Sequence, residues 1–246
     1  MAKRPLRLIL LLLLASCGAA WRVTAAIQSR GDATDENGAI HYRATHEAIL
    51  ALTFDDGPDP SITPRILETL KRHGVHATFF VLGARAQEYP QVIRQLLDDG
   101  NEIANHGFTH SYRINSPATV RNEIERTQSV IQQATGVSTQ FFRPPGGIHN
   151  PMVVKAAASV GHRVIMWSWN QDTKDWAHPG AKRIAAHILA NARPGDIVLL
   201  HDGPGQQQTA DALDEVITGL QARHYRLVTI GELLAESTPA LGEAGP

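Results

Sequence analysis

Short apolar runs of strand length alternate along this chain with stretches in which apolar residues return every three or four positions, the spacing of one helix face. The first run, residues 49–54, precedes a helical pattern over 64–73. A second, over 77–82, precedes helical turns reaching residue 99. The order recurs in strand and helix pairs at 102–105 and 118–134, 140–143 and 151–160, 164–168 and 181–192, 197–201 and 210–223, and 225–230 and 231–235. Seven such units predict an α/β fold with a parallel sheet and helices outside it, either open or closed into a barrel, with closure preferred. A chain of 246 residues with 43% hydrophobic content supplies one core of that size, hence a single domain.

The pattern changes at both ends. Lys3, Arg4 and Arg7 lead into an apolar run over 8–14 and the small residues Ala15 and Ser16, the order of a signal peptide and too short to span a bilayer comfortably. Cys17, the only cysteine, follows Leu14, Ala15 and Ser16 as in the lipobox of bacterial lipoproteins, where that cysteine carries lipid. Cleavage after Gly18, Ala19 and Ala20 would instead discard it. Both readings export the chain; the first places it in the periplasm or cell envelope, touching the membrane only through its lipidated N-terminus. Residues 18–47 lack sustained periodicity and are expected to form a flexible linker, with 237–246 as a disordered tail. The domain is then 48–236.

Charge narrows the partners. With 23 Lys plus Arg against 24 Asp plus Glu, and no basic stripe interleaved with aromatics, nucleic acid is not an expected partner. The 12 histidines suit metal or acid/base chemistry, and their positions must decide whether they serve it.

In a parallel α/β fold, chemistry gathers at the C-terminal ends of strands. The first strand ends in Asp55-Asp56-Gly57-Pro58. Two adjacent carboxylates raise each other's pKa, a bound cation would hold both charged, and Gly57-Pro58 supplies the turn that would bring both to one site; the plainer reading is a helix cap beside a solvated aspartate. The third strand is followed by His106 and His110, a spacing that brings two imidazoles to one metal or leaves two unrelated surface residues. With Asp56 they make a His-His-Asp set with a position open for water. Arg143 stands beside Pro144-Pro145-Gly146-Gly147, a rigid turn whose backbone N–H groups suit an oxyanion. Asp172-Thr173-Lys174-Asp175-Trp176 offers an acidic and aromatic loop that would line a sugar groove or simply pack. His201, after the apolar run ending at Leu199 and Leu200, is a candidate general acid or a structural histidine.

Taken together and in this order, these segments resemble the five motifs of the NodB-homology polysaccharide deacetylases, carbohydrate esterase family four, over roughly residues 48–236. The resemblance implies a deformed (β/α) barrel of about seven strands. It implies Asp56, His106 and His110 as ligands of a divalent metal, zinc first and cobalt or nickel as alternatives. It implies Asp55 as general base, Arg143 as its brace, His201 as general acid with Asp175 as charge partner, and Leu199 and Trp176 around the acetyl methyl, with the Gly146 N–H toward the oxyanion. The implied activity is removal of N-acetyl groups from a polysaccharide such as peptidoglycan, chitin or poly-N-acetylglucosamine. Acetylated xylan as an O-acetyl substrate and a non-catalytic glycan-binding lipoprotein are the competing readings. Two positions depart from the family pattern. Gly107 replaces a common Ser or Thr, removing a hydroxyl that would order the ligand loop, and Gly146 replaces a common Tyr, removing a groove-lining ring.

Overall fold

The structure is a computed structural model, and it describes residues 34–235. The export signal with Cys17, the front of the linker and the tail over 237–246 lie outside the described residues. The strands are β1 (Ile49–Asp55), β2 (Thr78–Val81), β3 (Glu102–Asn105), β4 (Phe141–Phe142), β5 (Arg163–Val164), β6 (Ile197–His201) and β7 (Arg226–Leu227). The helices are α1 (Thr63–His73), α2 (Gly83–Glu88), α3 (Pro90–Asp98), α4 (Pro117–Thr135), α5 (Pro151–Ser159), α6 (Ala181–Asn191), α7 (Gln207–Gln221) and α8 (Ile230–Ala235). Every ladder is parallel, in the order β5-β4-β3-β2-β1-β6, with β7 beside the start of β1. This is the deformed barrel that the alternation and the resemblance predict.

Period-two alternation sorts the strand residues into two layers. Leu50, Leu52 and Phe54 of β1 face outward, into a cluster with Ile66, Leu67 and Leu70 of α1 and Leu213, Val216 and Leu220 of α7. Phe54 stacks on Phe79 there, with ring centroids 4.9 Å apart. Ile49 and Ala51 face inward with Phe80, Ala104, Phe141, Ile165 and Ile197. Each fully buried Leu, Ile, Val or Phe among them contributes about 1.5–3 kcal/mol. The same inward parity carries Thr53 and Asp55 on β1, Leu199 and His201 on β6 and Arg143 beyond β4 toward one mouth of the barrel. Register strengthens this: Asp55 pairs with His201 across β1 and β6.

Two expectations are corrected. Residues 34–47, expected to be linker, belong to the fold. Ile40 forms a parallel bridge with Ile165, donating to Val164 O and accepting from Met166 N, and Tyr42 forms an antiparallel bridge with Asp196. Ala39, Ile40 and His41 are buried. The strap therefore lies between β5 and β6, where the sheet lacks a regular ladder and backbone groups would otherwise be unpaired. Its apolar residues are too few to show periodicity, so the sequence reads as linker. The strand expected at 164–168 stops at Val164 for the same reason. Beyond it the backbone bonds to the strap, and then Ser168 N and Leu199 N pair across the β6 edge, with Ile197 O and Gln171 O.

Candidate active site

β1 delivers the two carboxylates in different ways. Asp55 ends the strand pointing inward, and Asp56 follows with a φ of +73°, which turns its side chain into the same mouth instead of the opposite face. Gly57 is required next, because a Cβ there would collide with the Asp202 carboxylate. Asp202 is fully buried, and burial, together with the charges of Asp55 and Asp56, pushes it up to about 7.

Arg143 is fully buried and stretched across the barrel interior. Its Nη1 donates to Asp55 Oδ1 at 2.7 Å and to Thr53 Oγ1 at 2.9 Å, while Nε and Nη2 donate to Ile165 O and Met166 O. Its guanidinium also lies 4.0 Å over the Phe80 ring. Burial pulls Arg143 below its ordinary value, and the Asp55 charge opposes that. One oxygen of Asp55 is thus fixed, and the other, Oδ2, faces the cavity 3.9 Å from His106 Nε2.

His106, His110 and Asp56 converge. Asp56 Oδ1 lies 3.4 Å from His106 Nε2 and 3.1 Å from His110 Nε2. His106 Nδ1 is 2.7 Å from Arg143 O, a carbonyl that can only accept, so Nδ1 carries a proton and Nε2 faces Asp56. Burial would raise Asp56, but the two imidazoles hold its carboxyl well below the usual carboxylate range, and Asp56 raises His110 above its ordinary value. Asp56 Oδ1 is nevertheless buried with no hydrogen bond satisfying it. An orphaned carboxylate oxygen between two imidazoles fits a divalent cation, and the donor set suits zinc, cobalt or nickel.

His201 faces the cavity from β6. Asp175, fully buried in the short 3-10 turn at Asp175–Ala177, accepts from His201 Nδ1 at 2.7 Å and from His201 N at 2.8 Å. Thr209 Oγ1 on α7 donates to Asp175 Oδ2 at 2.7 Å. Burial works against protonation of His201, but Asp175 outweighs it and pushes the imidazole up to about 9. With Nδ1 engaged, Nε2 is the nitrogen free to meet a substrate.

Asp55, Asp56, His106, His110, Gly146, Trp176, Leu199 and His201 all line one cavity of about 400 Å³, and Arg143 and Asp175 support it from behind. All the residues singled out in the sequence are therefore brought together. Two residues escaped that reading. Tyr112 packs edge-on against His110 at 5.0 Å and covers Gly146, where a Cβ would lie 2.7 Å from its ring. The ring that Gly146 lacks is replaced from the loop before α4. Glu123 on α4 accepts from Phe108 N and Thr109 N, both at 2.8 Å, and orders the loop between the two histidines that Gly107 would leave without a hydroxyl. A side chain at Gly107 would crowd this carboxylate at 3.3 Å. Neither residue sits in a motif; a buried-side glutamate in an amphipathic helix was the only signal. Glu123→Ala should weaken zinc binding by about 10–100-fold, measured by competition with a chromophoric chelator, with Glu123→Gln intermediate. Unchanged affinity in the alanine variant would remove Glu123 from this role.

Asp55, Asp56, His106, His110 and His201 thus converge at one mouth of the barrel, a set of carboxylates and imidazoles able to hold a cation and exchange protons. The chain belongs to the polysaccharide deacetylase family, whose model matches residues 42–165. It is 43% identical over 191 residues, 77% of this chain and 89% of the other, to a peptidoglycan-N-acetylglucosamine deacetylase of Bacillus cereus. Among solved structures, a pseudoenzyme of carbohydrate esterase family four from Bacillus anthracis superposes with a TM-score of 0.76 at 32% identity, covering 83% of this chain and 71% of that one. An acetyl xylan esterase of Clostridium thermocellum with bound cobalt gives 0.70 at 37% identity, covering 76% and 90%.

Proposed function

We propose that this protein hydrolyses N-acetyl groups of N-acetylglucosamine-type units in a cell-envelope polymer, with peptidoglycan as the first candidate, releasing acetate and leaving the amine. Asp56, His106 and His110 hold the divalent cation, zinc before cobalt or nickel. The observation that carries the reading is the convergence of these three ligands, Asp55 and His201 in one cavity. When bound, the cation supplies Lewis acidity that polarises the acetyl carbonyl and acidifies a water. Asp55 takes the attacking water's proton on Oδ2, its Oδ1 being held by Arg143. Leu199 and Trp176 seat the acetyl methyl, and the Gly146 N–H faces the oxygen on which negative charge develops. His201 Nε2 gives its proton to the departing nitrogen as the C–N bond breaks, so that the amine leaves neutral.

The site acts outside the cytoplasm in this reading, with the domain tethered through Cys17. The family includes a pseudoenzyme, so the fold alone does not carry catalysis. The esterase relative makes O-acetyl groups the specific second reading. The test is acetate release by protein stripped with chelator and resupplied with zinc or cobalt, on peptidoglycan, on N-acetylglucosamine oligomers and on acetylated xylan. Metal-restored release from the amide substrates supports the proposal. Release from xylan alone would move it to the esterase reading, and none from any would leave glycan binding.

The acid assignment predicts a pH effect. Activity needs protonated His201, so it is present below the raised pKa and is lost as pH climbs through about 9. Asp175→Asn removes the charge that holds the proton, and the alkaline limb of the rate profile should move down by about 1–3 pH units. A limb that stays in place would assign it to another group.

A further inference from the structure

A second His-His-Asp set lies outside the catalytic cavity, on the strap that closes the barrel. Asp35 Oδ2 is 3.1 Å from His41 Nε2 and 2.5 Å from His149 Nε2, and the three ligand atoms lie within 4.8 Å of one another. The second carboxylate oxygen is committed elsewhere: Oδ1 accepts from Asn37 N and Ala39 N, both at 2.9 Å, which fixes the direction of Oδ2. Both imidazoles are also held from behind. His41 Nδ1 is 3.1 Å from Trp167 O and His149 Nδ1 is 2.8 Å from Gly147 O. Carbonyls only accept, so both Nδ1 atoms carry a proton, and both Nε2 atoms point toward the same carboxylate oxygen. Carbonyl-anchored imidazoles with free Nε2 atoms are the usual support of metal-binding histidines, and His106 on Arg143 O is held in the same way.

Two imidazole Nε2 atoms and a carboxylate oxygen that converge in this way need positive charge between them. Two imidazoliums would supply it only by placing two like charges with ring centroids 5.7 Å apart in a half-buried pocket, and one alone would leave the Nε2 lone pair of the other ring facing the carboxylate. One divalent cation supplies it directly. We infer that Asp35, His41 and His149 form a second divalent-metal site, of the zinc class, which pins the strap to the turn carrying Gly146 and Gly147. Its ligands come from two segments 114 residues apart in sequence, Asp35 and His149 marking the span. One of them follows directly the turn that lines the catalytic cavity. Trp169 stacks on the His41 ring at 4.6 Å and covers one side of the set. Because zinc bonds of about 2.0–2.2 Å place tetrahedral ligands a little over 3 Å apart, the His41 distance already fits and His149 must withdraw by several tenths of an ångström. The site does not depend on the deacetylase reading.

Metal stoichiometry tests it. The full chain, purified in detergent, stripped with chelator and dialysed against zinc, should bind two equivalents. His110→Ala should lose one, Asp35→Asn or His149→Gln should lose the other, and the combination should bind none. Asp35→Asn keeps the turn's acceptor oxygen, so it serves if His149→Gln fails to fold. In the His110→Ala background zinc should still raise Tm, and adding Asp35→Asn should abolish that rise. A single equivalent in the unaltered chain, or two equivalents insensitive to both Asp35→Asn and His149→Gln, overturns the inference in favour of a plain His-Asp ion pair. Two equivalents with no acetate release would leave this site standing and sink the deacetylase reading instead.

Discussion

Asp55→Asn should lower acetate release by about 10²–10⁴-fold, the usual contribution of a positioned general base, while leaving zinc content unchanged. The separation follows from geometry. Asp56 Oδ1 is the carboxylate oxygen between the two imidazoles, whereas Asp55 gives one oxygen to Arg143 and holds the other 3.9 Å from the nearer histidine. An asparagine keeps an oxygen for Arg143 and preserves the shape of the mouth, so the fold survives and only proton acceptance is lost. Metal analysis and rate measurement on the same sample decide the matter. Activity within tenfold of the unaltered protein would falsify the base assignment, and loss of the metal would make Asp55 a ligand.

Arg143→Met should be the most destabilising of the single changes at this site. The guanidinium is fully buried and makes four hydrogen bonds from the barrel centre, to Asp55, Thr53, Ile165 and Met166. Removing it leaves a buried carboxylate without its counter-charge and two carbonyls without donors. Breaking one side of a buried pair costs about 3–5 kcal/mol, which for a domain of this size lowers Tm by roughly 6–20 °C. Pairing it with Asp55→Asn should recover part of the loss, because no uncompensated charge then remains. A single variant that melts within about 3 °C of the unaltered protein would show that water or a shifted side chain replaces Arg143.

Sequence alternation was enough for the barrel's seven strands because the central ones, β1, β2 and β6, are buried almost throughout and read as apolar runs bounded by polar turns. The strand ends were legible for a related reason: a charged residue after such a run cannot reach solvent sideways and has to face the mouth. Asp55, His106, Arg143 and His201 announce themselves in that way. Strand lengths were less legible. β4, β5 and β7 each span two residues because their ladders stop after one or two pairings, with partners that lie far away in sequence.

What the sequence by itself determined, then, is the fold, the membership of the family and the set of strand-end residues that meet in one cavity. The side chains that arrange them were decided only in three dimensions. The φ of +73° at Asp56 turns two neighbouring carboxylates into one site, against the divergence of a regular strand. Glu123 reaches the ligand loop from 14 residues further along, and Tyr112 fills the space at Gly146 from a loop that carries no motif. The strap over residues 34–47 looks like a linker because it has no periodicity of its own. It is ordered because the gap between β5 and β6 supplies the partners for its backbone. Those contacts form only once the barrel has closed, and short-range patterns in a chain cannot register partners that closure creates.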